Sequence, residues 1–422
     1  MKHLPIHSPF TELDAAEVRD LSILFITGLL FWTSITTMLP TLPTYIQELG
    51  GTAQQVGLVM GCFAIGLLFS RTWLGQLADR HSRKLVLLIG TAVGAIAPLG
   101  YLSIHSISGL MAVRAFHGIS IAAFATAYSA LVIDTSPPKQ RGEIIGYMSL
   151  TMPVGMAVGP AVGGTLEVSH GYYFLFLMSA GLGFASFLLA SGLRGGKYQT
   201  EEELQKRTNL PERSFWRLLA SPSLNVPAVI LLLIGLVFGT LVSFLPLYIE
   251  AIALNLNAGT FYTAAAIASF IARIACGKAS DRYGRGIFIT GSLLCYGASM
   301  LLLSLTRSPR DFLLGGVLEG AGSGVLIPMM VALMSDRCQP QERGRVYSIC
   351  LGGFDVGMAI AGPLLGILQA TAGYRGMFLL AAGLAWLGLI IFLSQSNRGF
   401  APSVGFALGR TRDLYAIDPA QK

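Results

Sequence analysis

Charge is scarce in this chain. Asp, Glu, Lys and Arg make up 12% of its 422 residues, about half of the roughly 25% found in a soluble globular domain. Cysteine is scarce as well, and Cys62, Cys276, Cys295, Cys338 and Cys350 lie in or beside apolar stretches without metal-ligand spacing, which argues against a disulfide framework. No nucleotide-binding glycine loop, metal cluster or nucleophile elbow is present, so a soluble enzyme is excluded and no cofactor or metal is expected. The first twenty residues lack a basic start, a short apolar core and a small-residue cleavage site, so no cleaved signal peptide is expected there.

What the chain has in abundance is apolar sequence. The apolar share is 53% and the mean hydropathy +0.64. The apolar residues come in runs of about 20 or more, the length a helix needs to cross a hydrocarbon core of roughly 30 Å. Windows of that length predict spans near 21–44, 56–78, 84–104, 109–133, 143–165, 172–193, 224–249, 258–279, 286–306, 311–335, 346–369 and 375–395. The fold class expected is an all-α membrane protein of twelve transmembrane helices.

The net charge of +7 reports topology rather than an affinity for nucleic acid. With both termini on one side, 23 of the 29 Lys and Arg fall on that side. Only Arg307, Arg310 and Arg375 fall on the other, and Arg71, Arg114 and Arg273 lie inside spans. Such a bias predicts cytoplasmic termini.

The chain also repeats itself at a constant offset of 202 residues. Gly75, Asp79, Arg80 and Arg83 recur as Gly277, Asp281, Arg282 and Arg285, and Arg71 recurs as Arg273. Asp134, Pro138, Arg141 and Gly142 recur as Asp336, Pro340, Arg343 and Gly344, and Gly155, Met156, Ala157 and Gly164 recur as Gly357, Met358, Ala359 and Gly366. One register held from the second to the fifth span of each half marks a duplicated six-helix unit, its halves related by an axis along the membrane normal. The expected organisation is an N-terminal segment (1–20), a first bundle (21–193), a cytoplasmic linker (194–223), a second bundle (224–395) and a C-terminal tail (396–422).

The loop Gly75-Gln-Leu-Ala-Asp79-Arg80-His-Ser-Arg83-Lys84 and its copy Gly277-Lys-Ala-Ser-Asp281-Arg282-Tyr-Gly-Arg285 resemble the signature loop of the major facilitator superfamily. With twelve spans and one register, the resemblance covers nearly the whole chain. It implies two pseudo-symmetric bundles, alternating access, and a latch in which these loops hold the halves in the outward-open state. Physically, the glycine allows close helix approach, and the arginines can pair with a carboxylate. Asp134 and Asp336, at the inner ends of the fourth and tenth spans, are the expected partners. Ser82 stands where the family usually has glycine.

The fifth span carries Gly155, Gly159, Pro160, Gly163 and Gly164. Small residues four apart line one helix face and permit a close seam, here expected against Ala264, Ala265, Ala266 and Ala268 of the eighth span. The pattern resembles that of the family's drug and proton antiporters, which implies export.

An ionisable side chain at mid-depth in a bilayer is costly unless paired or hydrated, so each is a functional candidate. Counting about 1.5 Å per residue puts Glu319 and Asp355 near the midplane, with Arg114 and His117 somewhat further out. Arg114, His117 and Gly118 resemble the family's Arg-x-x-Gln-Gly motif of the fourth span, associated with proton transfer, with His117 in place of the glutamine. The offset maps His117 onto Glu319. Glu319 is the expected proton-carrying group, with Arg114 or His117 as its counter-charge or, equally, as its partner in a static pair holding the halves; Asp355 is a second candidate. Phe31, Trp32, Phe124 and Tyr128 lie at cavity depth and suit an amphipathic organic solute.

The expected function is proton-coupled efflux of a small organic solute by a monomer in a bacterial inner membrane. The alternatives are a proton-coupled importer of a sugar or other metabolite, and a non-cycling receptor or scaffold.

Overall fold

The computed structural model describes residues 13–137, 140–194, 215–254, 256–339 and 342–417. The loop residues Pro138 and Pro340, the side chains of Asp281, Arg343 and Gly344, and most of the expected linker lie outside that description. Every regular element described is helical: α1 (Ala15–Thr37), α2 (Leu42–Glu48), α3 (Ala53–Arg80), α4 (Arg83–Ser103), α5 (Ile107–Thr135), α6 (Arg141–Met148), α7 (Thr151–Ser191), α8 (Phe215–Leu219), α9 (Asn225–Ala251), α10 (Ala258–Tyr283), α11 (Arg285–Leu305), α12 (Pro309–Asp336), α13 (Arg343–Gln395) and α14 (Phe400–Ala407).

Ten helical stretches are long and apolar enough to cross a bilayer. Two of them, ending in α7 and α13, fold back at a single glycine: Gly171 (φ 79°, ψ 177°) and Gly373 (φ 63°, ψ 179°). That backbone region is open essentially to glycine alone. Each hairpin is two spans, so the ten stretches are twelve crossings. The two glycines are themselves 202 residues apart and each lies close to a tyrosine of the same register, Tyr172 and Tyr374, so the repeat extends one loop further than the spans from which it was read.

Elsewhere several helix starts are capped locally. Thr52 accepts from the Gln55 amide while Gln55 accepts from the Thr52 amide. Ser82, Ser106 and Asn257 accept from the amides of Leu85, Gly109 and Gly259. Each cap satisfies a backbone donor that the helix cannot.

Three apolar clusters hold the molecule together. One lies within the first bundle around Leu24, Phe31, Phe124 and Leu131, and one within the second around Ile234, Phe261, Tyr296 and Met330. The third joins the bundles: Met38, Tyr45, Val56 and Met60 of the first pack in one cluster with Val242, Phe244, Leu365 and Met377 of the second. It sits toward the membrane face opposite the basic loops. Large apolar side chains such as Phe69, 83% exposed, point outward from the bundles, where lipid rather than water is the matching solvent.

Candidate transport cavity

The bundles meet along two seams. On the first, α3 lies against α13, and a Cβ at Gly57 would run into the carbonyl of Gly362 while one at Gly61 would meet that of Ala359. On the second, α7 lies against α10, with the Pro160 carbonyl against Gly259 and Gly164 against Asn257. Both seams are tight in the half of the membrane away from the basic loops. Toward the basic face they part: among the described residues nothing lies within 4 Å of a Cβ added at Gly75 or Gly352 on the first, or at Gly142, Gly146 or Gly277 about the second. The structure is therefore open at the basic face.

Between the seams lie two cavity lobes of about 240 and 140 Å³, which share Leu39, Met152, Met156, Phe238 and Phe354 on their walls. In the larger lobe Arg71 of α3 forms an ion pair with Asp355 of α13 at 2.7 Å, without an aligned N–H···O hydrogen bond. This pair bridges the two bundles. It stands one turn inside Gly75 and Gly352. Arg114 lines the same lobe, its guanidinium 4.4 Å from the centre of the Phe63 ring and its Nε without a partner.

The smaller lobe contains Glu319, which is 4% exposed. Ser323, one turn along the same helix, stands at its carboxyl group; Tyr262 and Tyr296 flank it, and its Oε1 has no hydrogen-bond partner. Arg273, the repeat of Arg71, lines this lobe too. Unlike Arg71 it forms no ion pair with a described residue, and the position equivalent to Asp355 in the first half is Pro153. The bridging pair is thus asymmetric within a symmetric fold.

The remaining candidates divide between wall and core. Trp32 lines the larger lobe. Phe31, Phe124 and Tyr128 do not: Phe31 and Phe124 stack at 3.8 Å, Phe124 and Tyr128 at 4.9 Å, and all three belong to the core of the first bundle. His117 is fully buried, 3.3 Å from the Tyr101 hydroxyl through Nδ1 and edge-on to Phe63, and lies on the wall of neither lobe. Arg114 lines the larger lobe and Glu319 the smaller, and among the described residues no ion pair joins Glu319 to Arg114 or His117.

The glycines of the fifth span also face another way than expected. Gly155, Gly159 and Gly163 pack on α1, against Trp32 and Thr33, Thr36, and Thr37 respectively, and the Thr36 hydroxyl donates to the Gly155 carbonyl at 2.8 Å. Pro160 and Gly164, on the neighbouring face, reach the start of α10, where the Thr263 hydroxyl also donates to the Ala157 carbonyl at 3.4 Å. Of the alanines expected opposite, Ala265 instead presents its carbonyl to Gly320 of α12.

At the basic face Arg83 pairs with Asp134, and Arg285 with Asp336 at 2.6 Å, each bond staying within one bundle. Asp79 and Arg80 are exposed and form no ion pair with a described residue. No cluster of metal-binding side chains occurs among the described residues.

This architecture is that of known carriers. The family model of the Major Facilitator Superfamily matches residues 24–310 and 251–407. The chain belongs to that superfamily. Among curated relatives, multidrug resistance protein MdtG of Enterobacter lignolyticus is 30% identical over 379 residues, covering 86% of this chain and 89% of the relative. The protein of the same name from Salmonella arizonae is 27% identical over 395 residues, covering 90% and 96%. Among solved structures, a point mutant of the nucleoside transporter NupG aligns with a TM-score of 0.75 at 16% identity, covering 89% of this chain and 99% of that one. A bacterial homologue of the human lysosomal transporter Spinster aligns at 0.72 and 15%, covering 96% and 99%. This superfamily member is a multi-pass membrane transporter and not an enzyme.

Proposed function

We propose that this protein exports a small amphipathic organic solute in exchange for protons, by rocking its two bundles about the midplane cavity. The observation that carries the reading is Glu319: a carboxyl group buried on the cavity wall, with an unpartnered oxygen and, among the described residues, no ion pair. A fixed charge there would be costly. A carboxyl group can shed its charge by taking up a proton and recover it when the cavity opens to the other side, which is the behaviour a coupling site needs.

Asp355 is assigned the other task. Its ion pair with Arg71 joins the bundles, so it serves as an inter-bundle contact and Glu319 as the proton carrier. Arg114 and His117, packed with Tyr101 and Phe63, support the wall of the larger lobe.

The basic face is taken as cytoplasmic from the distribution of Lys and Arg, and the protein as a monomer in a bacterial inner membrane. The state described is then inward-open. Asp79 and Arg80, outside any ion pair with a described residue, would engage the opposite bundle when that face closes, as in a latch. Export is supported by the glycine-proline pattern of the fifth span and by the names of the MdtG relatives. An aromatic and methionine-lined cavity suits apolar bodies of varied shape.

The test is proton movement in proteoliposomes with an internal pH dye, screening lipophilic organic solutes, sugars and metabolites under an imposed pH gradient. Discharge of the gradient by an organic solute is the expected result. Transport of solutes with no accompanying proton flux would overturn the coupling.

A further inference from the structure

After the last span the chain turns at Gly399 (φ 96°) and α14 folds back beneath the second bundle. The Thr290 hydroxyl donates to the Ala407 carbonyl at 2.9 Å, and Gly286 lets the Phe406 carbonyl approach closely. Residues 408–417 then run as a strap. Arg337, its side chain fully buried, donates through Nε and Nη2 to Asp413 at 2.7 and 3.1 Å, and to the carbonyls of Ser223 and Ser396 at 2.9 and 2.6 Å. Asn397 donates to the Arg412 carbonyl and accepts from the Leu414 amide, both at 3.0 Å, and the Ile417 amide donates to the Asp336 carbonyl at 2.9 Å.

The strap and the second signature loop enclose a cleft of about 530 Å³, within the range of roughly 300–1,000 Å³ typical of small-molecule sites. Four arginines line it, Arg282 and Arg285 from the loop side and Arg410 and Arg412 from the strap. Its two carboxylates are both engaged, Asp336 by Arg285 and Asp413 by Arg337. The folded strap thus sets Arg410 and Arg412 on the same cleft as Arg282, and among the described residues no carboxylate pairs with any of the three, so the cleft favours an anion.

We propose that this cleft binds the phosphate head of an anionic phospholipid. Guanidinium forks match phosphate oxygens. The cleft sits at the basic ends of α10, α11 and α12, the level of the lipid phosphates. Tyr283 on its wall and the adjoining Ile287 and Leu408 form an apolar, exposed edge, 57%, 43% and 41% accessible. A free phosphate ion has no use for such a rim, whereas acyl chains do. The lipid bridges Arg282 of the signature loop to the C-terminal strap.

The full-length protein, reconstituted in nanodiscs of mixed zwitterionic and anionic phospholipids with identical acyl chains and then transferred to detergent, is examined by native mass spectrometry for retained lipid. Wild type should retain anionic over zwitterionic lipid. Since a basic side chain near an anionic surface contributes about 1 kcal/mol, loss of each arginine should cut the preference roughly fivefold. Arg410→Gln with Arg412→Gln should lose it, Arg282→Gln should reduce it, and Arg398→Gln, outside the cleft, should not. The Arg282→Gln protein, with the strap sequence intact, guards against a strap that fails to fold. Equal retention by wild type and the Arg282 variant would overturn the site. Binding of inorganic phosphate to lipid-free protein without any preference among lipids would overturn the assignment to a lipid.

Discussion

Glu319 and Asp355 are both buried acids, yet their surroundings differ. Asp355 has a guanidinium at 2.7 Å from the opposite bundle, and Glu319 has hydroxyl neighbours and an unpartnered oxygen. Breaking a buried pair by removing one partner leaves an uncompensated charge, typically at a cost of about 3–5 kcal/mol, and less where one partner meets solvent as Arg71 does. Asp355→Asn should therefore lower the thermal stability of the purified protein, and swapping the charges, Arg71→Asp with Asp355→Arg, should recover much of the loss. A swap no more stable than either single variant would remove the pair from the inter-bundle contact. The importance of Asp355 was legible in the sequence as a charge inside a span, but its partner was not. Arg71 lies 284 residues away in the other half, and the repeat points to Arg273 rather than to any acid. Likewise Phe31, Phe124 and Tyr128 could be placed at the right depth by counting, but not on the right side. In a helix that is apolar all round, periodicity does not distinguish a cavity wall from a bundle core.

At the scale of the helix, spacing reveals which residues share a face and leaves open what the face meets. Gly155, Gly159 and Gly163 are four apart and do form one small surface, which packs on α1 within the same bundle and only marginally on α10. A valine at Gly159 would press on Thr36 and Thr33, and overpacking of that kind costs about 1–3 kcal/mol. Gly159→Val should reduce folded yield and melting temperature, whereas Gly181→Ala, in open space on the same hairpin, should not. Gly171 tests the turn in the same way: its backbone region costs another residue about 1–3 kcal/mol, so Gly171→Ala should destabilise and Gly373→Ala should do so similarly. A stable Gly171→Ala protein would contradict the single-residue hairpin. Asp134 and Asp336 as partners of the loop arginines were more legible, since the 202-residue register brings the same residue types together in both halves, and they pair with Arg83 and Arg285.

For the whole molecule, the two seams and the open basic face fit one end of the proposed rocking motion. Gly57, Gly61, Ala359 and Gly362 make the tight end of the first seam, and Gly75 and Gly352 stand apart at the other end with the Arg71–Asp355 pair between them. Closing the basic face would bring Gly75 and Gly352 together, so Gly75→Leu should be tolerated in the state seen here and should hinder the opposite one. Paired spin labels across the basic face, on the end of α3 and the start of α13, should show Gly75→Leu and Asp79→Asn shifted toward long distances. Distributions identical to wild type would count against the latch. Twelve crossings and two halves could be read from hydropathy and self-similarity, because the bilayer imposes helix length and duplication imposes register. The conformational state and the bridging pair could not, because they depend on how two rigid bundles are set against each other.

The measurement that bears most directly on the account compares two modes of transport in the same proteoliposomes: solute exchange at equal pH on both sides, and solute accumulation driven by a pH gradient. Glu319→Gln keeps the shape of the cavity wall and removes the exchangeable proton, so exchange should persist while driven accumulation falls to the level of protein-free vesicles. Undiminished proton-driven accumulation by Glu319→Gln would contradict the assignment of Glu319 as the coupling group.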